Sequence, residues 1–148
     1  MRTMVLLLSG LLSSIPVPAA NAGERCPSLP AGSGLHWEVV DGPDFVFCKA
    51  IRSADGVQAL SVMLGAQPSF RPDRSLREGD AMIDGRRVRW YRGDMAGQRD
   101  VHVRETVLEL GRRRAAHVVV RADSEQALAR HLQVAGSLRF DALAAGGD

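Results

Sequence analysis

The sequence predicts an α+β domain: an antiparallel sheet of about six strands, a C-terminal helix packed on one face, and a short helix in the 73–82 insertion. Two observations carry this. After Gly34, apolar residues recur in short alternating runs separated by turn dipeptides, the pattern of half-buried strands. Only one segment, following Asp123-Ser124-Glu125, combines a capping residue with apolar positions at helical spacing.

In chain order, Leu35 to Val40 reads as the first strand, and Asp41-Gly42-Pro43 turns it into Phe45 to Ile51. Ala54-Asp55-Gly56 turns the chain again into Val57 to Ala66, so an antiparallel meander is expected. Pro68 and Pro72 then interrupt the pattern. Asp73 or Ser75 offers an N-cap for a helix over Leu76 and Met82, kept brief by Gly79. Asp84-Gly85 is a hairpin dipeptide leading into Arg86 to Arg92. Gly93 to Gly97 makes a loop before Gln98 to Leu110, which Gly111 closes. Arg114 to Arg121 is the last strand, and Ser124 caps a helix through about Ala135 with Leu128, Leu132 and Ala135 on one stripe. The small residues from 142 to 148 read as a flexible tail.

Strand parity assigns faces. Val88 and Trp90 oppose Arg87, Arg89 and Tyr91; Val101, Val103 and Val107 oppose His102, Arg104 and Thr106; Ala116, Val118 and Val120 oppose His117 and Arg121. An apolar face is therefore expected beneath the helix, and a face rich in arginine and histidine on the other side.

The 148 residues divide into a secretory signal over 1–22, a single domain over 23–141 and the tail. Arg2 supplies the positive start of the signal, Val5 to Leu12 its apolar stretch, and Ala20-Asn21-Ala22 a small-x-small cleavage site. The apolar stretch falls short of the roughly 20 residues a membrane-spanning helix needs, so no span is expected in the mature chain. A periplasmic or secreted location follows. With 45% hydrophobic and 24% charged residues, wholesale disorder and a multi-span membrane protein are excluded. The formal net charge is +2, and removing Arg2 leaves 18 basic against 17 acidic side chains. That near neutrality speaks against nucleic acid as a partner.

Export also bears on Cys26 and Cys48, the two cysteines, 22 positions apart. In an oxidising compartment one disulfide is the economical reading. It would tie the Pro- and Gly-rich start of the domain onto the second strand, worth about 3 kcal/mol on the chain-entropy model. A redox pair or a metal site would want Cys-x-x-Cys spacing or neighbouring histidines.

Trp37 in the opening strand, the hairpin pair to Ala66, the insertion before Asp84-Gly85, the long strand over Val101 to Leu110 and the closing Val134-Ala135-Gly136-Ser137-Leu138-Arg139-Phe140 together resemble the PsbP-like superfamily of small exported or organellar domains. The resemblance covers most of the mature chain and is one of pattern and spacing. It implies a twisted antiparallel sheet flanked by helices and a role as a partner-binding accessory module. The cysteine pair and the arginine-rich strands depart from that family's usual sequence.

No catalytic constellation emerges. His36, His102, His117 and His131 lack zinc-type spacing; His102 and His117 on neighbouring strands would offer two imidazoles to a metal if a carboxylate such as Glu105 joined them, but Glu105 has the opposite strand parity. Ser33 and Ser137 lack the Gly-x-Ser-x-Gly elbow. Asp41, Asp44, Asp55, Asp84 and Asp94 fall at turns, where aspartate serves local hydrogen bonding. Arg92-Gly93-Asp94 spells a tripeptide that some adhesion receptors read, at an expected hairpin tip. No cofactor is expected.

The candidate partner-binding residues are Arg87, Arg89, Tyr91, Arg92, His102 and Arg104; of these, Arg87, Arg89 and Tyr91 on one strand and His102 and Arg104 on the next would present planar bidentate donors and one aromatic on a single surface. The bland alternative is a solvated sheet face. The expected function is that of a non-enzymatic protein-binding module, such as an immunity or inhibitor protein that blocks a toxin or cell-wall hydrolase with a loop like Arg92 to Arg99. The competing expectation is an enzyme or small-ligand carrier that holds an anion on the arginine face.

Overall fold

The computed structural model describes residues 25–66 and 70–144. The signal segment lies outside the described residues. The elements are β1 (Leu35–Asp41), β2 (Phe45–Arg52), β3 (Gln58–Gly65), a 3-10 turn (Arg74–Leu76), β4 (Arg77–Ile83), β5 (Arg86–Gly93), β6 (His102–Gly111), β7 (Arg114–Ala122), α1 (Glu125–Gly136) and α2 (Asp141–Ala144). They form an α+β domain with one antiparallel seven-stranded sheet in the order β1-β2-β3-β7-β6-β5-β4. From β3 the chain crosses to the far edge and returns strand by strand until β7 pairs with β3.

The helix expected over 73–82 is corrected. Asp73 does cap, its carboxylate accepting the Ser75 amide at 2.8 Å, but the helix is a single 3-10 turn and the chain then enters β4. Two causes favour the strand. Asp84 and Gly85 both adopt positive φ, 49° and 73°, the two-residue turn that sets strands in tight antiparallel register. Ala81 and Ile83, two positions apart, then reach the core from one face of β4.

Antiparallel partners share a face, so the register groups the side chains into rows. One row runs Val39, Cys48, Val62, Val118, Thr106; the next runs Ala50, Leu60, Val120, Arg104. Most of these residues are buried beneath α1, which contributes Ala127, Leu128, His131 and Ala135. Ser124 caps α1 by accepting the Ala127 amide at 3.2 Å. His131 belongs to the core stripe because its Nδ1–H donates to the Arg121 carbonyl at 2.6 Å; a carbonyl only accepts, so the proton sits on Nδ1.

Cys26 and Cys48 form a disulfide, their Cα atoms 6.0 Å apart and both side chains fully buried. Around it the N-terminal segment is tied down at two further points. The Trp37 indole N–H donates to the Pro27 carbonyl at 2.7 Å, and Ser28 bridges to Arg139 through reciprocal backbone bonds of 2.8 and 3.3 Å. Of the tail expected over 142–148, residues 142–144 belong to α2, where Leu143 is buried in the core, and 145–148 lie outside the described residues. No helix among the described residues is long and apolar enough to cross a membrane.

Candidate functional site

On β5 the expected parity holds: Val88 and Trp90 are buried, while Arg87, Arg89 and Tyr91 point to the face opposite α1. On β6 it is reversed. Thr106 pairs with Val118 and Leu108 with Ala116, which puts His102, Arg104, Thr106 and Leu108 on the helix side. Val103, Glu105 and Val107 share the other face with Tyr91 and His117. The expected single surface therefore divides, with Arg87, Arg89 and Tyr91 on the open face and His102 and Arg104, joined by the candidate Arg92, on the other. A one-residue parity error moves every side chain of a strand, and the valines of β6 invited it because both faces of that strand are partly covered.

Two of the segregated residues, Arg92 and Arg104, share a carboxylate partner. Glu78, on the edge strand, lies 3.5 Å from Arg104 and 3.8 Å from Arg92. Gly93 of the Arg92-Gly93-Asp94 tripeptide lies within β5, paired with Val103 rather than displayed at a hairpin tip. His102 and His117 lie on opposite faces, so the metal arrangement considered from the sequence does not assemble. Among the described residues no three His, Cys, Asp or Glu side chains are grouped to hold a metal ion.

What the open face does assemble is a cleft. Segment 70–72, which follows β3, lies against this face: Phe70 stacks on His117 with ring centroids 4.9 Å apart and meets the edge of Tyr91 at 6.0 Å. His117 Nε2–H donates to Glu105 at 2.9 Å beneath that stack. Beside Phe70 opens a groove of about 590 Å³. The reason for an opening here lies in the ladder. β5 and β6 are paired only through Tyr91, Arg92 and Gly93 with Glu105, Arg104 and Val103, and pairing lapses over Arg86–Trp90 and Thr106–Gly111.

Five arginines line the groove: Arg71 from the crossing segment, Arg87 and Arg89 from β5, and Arg113 and Arg114 at the β6–β7 hairpin. Glu109 is the carboxylate in the lining. Arg89 lies 3.6 Å from Asp80, and Arg114 donates to the Leu143 carbonyl at 2.6 Å. Among the described residues no carboxylate comes within 4.0 Å of Arg71, Arg87 or Arg113. Arg113 also has a positive φ of 56°, where a residue with a Cβ is strained.

Of these residues, sequence reasoning identified Arg87, Arg89 and Tyr91 and missed Phe70, Arg71, Glu109, Arg113 and Arg114. One signal was present. The turn after Gly111 offers two arginines where glycine, asparagine or aspartate would relieve a left-handed backbone. A second groove, of about 580 Å³, lies between the 30–35 segment and α1. Its Arg52 is held bidentately by Asp55 and the Nδ1 of its His131 by the Arg121 carbonyl, so it offers less free binding capacity. Compared with protein-family models, curated proteins and solved structures, the chain finds no match in any of the three.

Proposed function

We propose that this chain is a non-catalytic binding module of an oxidising compartment outside the cytoplasm, and that its arginine-lined cleft receives an anionic group carried by another protein. The observation that carries the reading is the meeting of Arg71, Arg87 and Arg113, from three separate segments, in one groove without a carboxylate partner among the described residues. Guanidinium forks in that state are ready to pair with oxyanions. The buried disulfide supports the compartment, since such bonds persist where thiols are not kept reduced. The PsbP-like resemblance implies the same accessory role. If the partner is a toxin or cell-wall hydrolase, the cleft is the better contact than the loop over 94–101, which joins β5 to β6 at the end of the hairpin away from Arg87 and Glu109.

The test is retention of exported proteins on the immobilised domain. Wild type and an Arg130→Glu control on α1 are expected to hold the same species at moderate salt, and the Arg87→Glu/Arg113→Glu double variant to release it. Retention indifferent to the double reversal, or lost equally in the control, overturns the reading.

A further inference from the structure

We infer that the group the cleft takes is a phosphate monoester, an inference that rests on the cleft being an anion site. Oxygen count is the first reason. A planar carboxylate offers two oxygens, and one arginine fork satisfies it bidentately. Here guanidiniums arrive from the crossing segment (Arg71), from β5 (Arg87) and from the β6–β7 turn (Arg113), a supply of donors suited to a tetrahedral group with three free oxygens. The second is charge. Five arginines set against Glu109 and Asp80 leave a formal surplus of three positive charges around the groove. A phosphate monoester brings about −1.5 to −2 at neutral pH, whereas a carboxylate or a sulfate ester brings a single charge.

The groove's other wall is the third. Phe70, Tyr91 and Val107 give it an apolar side next to the arginines, so the ester's organic part has a place to lie. A volume of about 590 Å³ suits a small ligand. The strained Arg113 fits the same picture. Glycine would relax the turn but remove a guanidinium from the rim. Arg71, Arg87 and Arg113 are solvent-exposed, so binding should weaken steeply with salt.

The experiment is calorimetric titration of the disulfide-intact protein with phenyl phosphate, phenyl sulfate and benzoate, which share a ring and differ in charge and oxygen number. Phenyl phosphate is expected to bind roughly tenfold tighter than either of the others, and its affinity to fall as pH drops below about 6, where it becomes a monoanion. Arg87→Gln and Arg113→Gly should each weaken it about tenfold, and Glu109→Gln should tighten it. Arg113→Gly should do so with an unchanged or raised Tm, because glycine accepts the positive φ; this separates lost binding from lost folding.

Vesicles of phosphatidylcholine with and without phosphatidic acid identify the source. Binding to the acidic vesicles as well as to phenyl phosphate supports the assignment with a lipid headgroup as its origin, and overturns the protein-borne source proposed above. Phenyl phosphate alone supports it with a soluble or protein-borne ester. Equal, arginine-dependent binding of benzoate overturns the phosphate assignment and leaves the cleft as an anion site. Failure of all three ligands, or binding indifferent to the arginine variants, overturns both.

Discussion

Asp84 turns β4 into β5 from a left-handed backbone, φ 49°, while its carboxylate accepts the Phe140 amide at 3.2 Å and faces Arg86 at 3.2 Å and Arg139 at 3.9 Å. Phe140 is a large, fully buried side chain, so one carboxylate joins the hairpin turn to the C-terminal plug of the core. Asp84→Ala leaves the amide without its partner and places a residue that resists positive φ in the turn. A loss of about 2 kcal/mol is expected. Asp84→Asn keeps an acceptor oxygen and tolerance of the left-handed region, and should lose less. Urea unfolding of the two variants checks this, and equal stability would refute the bridging role. The turn was legible because Asp-Gly is a local signal. The bond to Phe140 was not, since nothing local links residues 56 positions apart.

Two connections between elements are held by aspartates whose carboxyls lie below the ordinary 3.8. The Arg52 guanidinium does this for Asp55, aided by the Val57 amide; the Ser75 amide, then its hydroxyl, does it for Asp73. A depressed folded value means the contribution is fully present above the unfolded pKa and is lost as pH falls through the lower folded one. Both turns should therefore be constant from neutral pH down to about 5 and loosen below the ordinary value of 3.8, with the Val57 and Ser75 amide resonances moving in that window. Asp73→Asn should abolish the Ser75 titration and leave that of Val57 intact. Amide NMR between about pH 2 and 6 reads both. At this scale β1, β2, β3, β5, β7 and α1 were legible from turn dipeptides, alternation and the Ser124 cap. β4 was not, because Gly79 and a capping aspartate also describe a short helix, and pairing with β5 decided the matter.

In the molecule as a whole, the disulfide closes the N-terminal segment onto β2 across a separation of 22 residues. The same segment carries the Pro27 carbonyl that orders Trp37 and the Ser28 bridge to Arg139. Reduction, or replacement of both cysteines by alanine, should lower stability by about 3 kcal/mol. Trp37 fluorescence should shift as its indole N–H loses its partner. Thermal unfolding with and without reductant measures the first and emission spectra the second; a reduced protein of undiminished Tm would contradict the stapling role.

By itself the sequence determined the α+β class, most strand boundaries, the C-terminal helix and the cysteine pair available for bonding, because each is written in local turn chemistry or in the period of apolar residues. The tertiary structure decided which face each strand of the candidate site presents. With both faces of β6 partly covered, alternation alone was degenerate, and only the register with β7 resolved it. It also decided the site's membership: Arg71, Arg87 and Arg113 meet because the chain leaves β3, lays Phe70 across the open face and returns from the far edge of the sheet. Convergence of residues so far apart in sequence is a property of the crossover, and no local pattern records it.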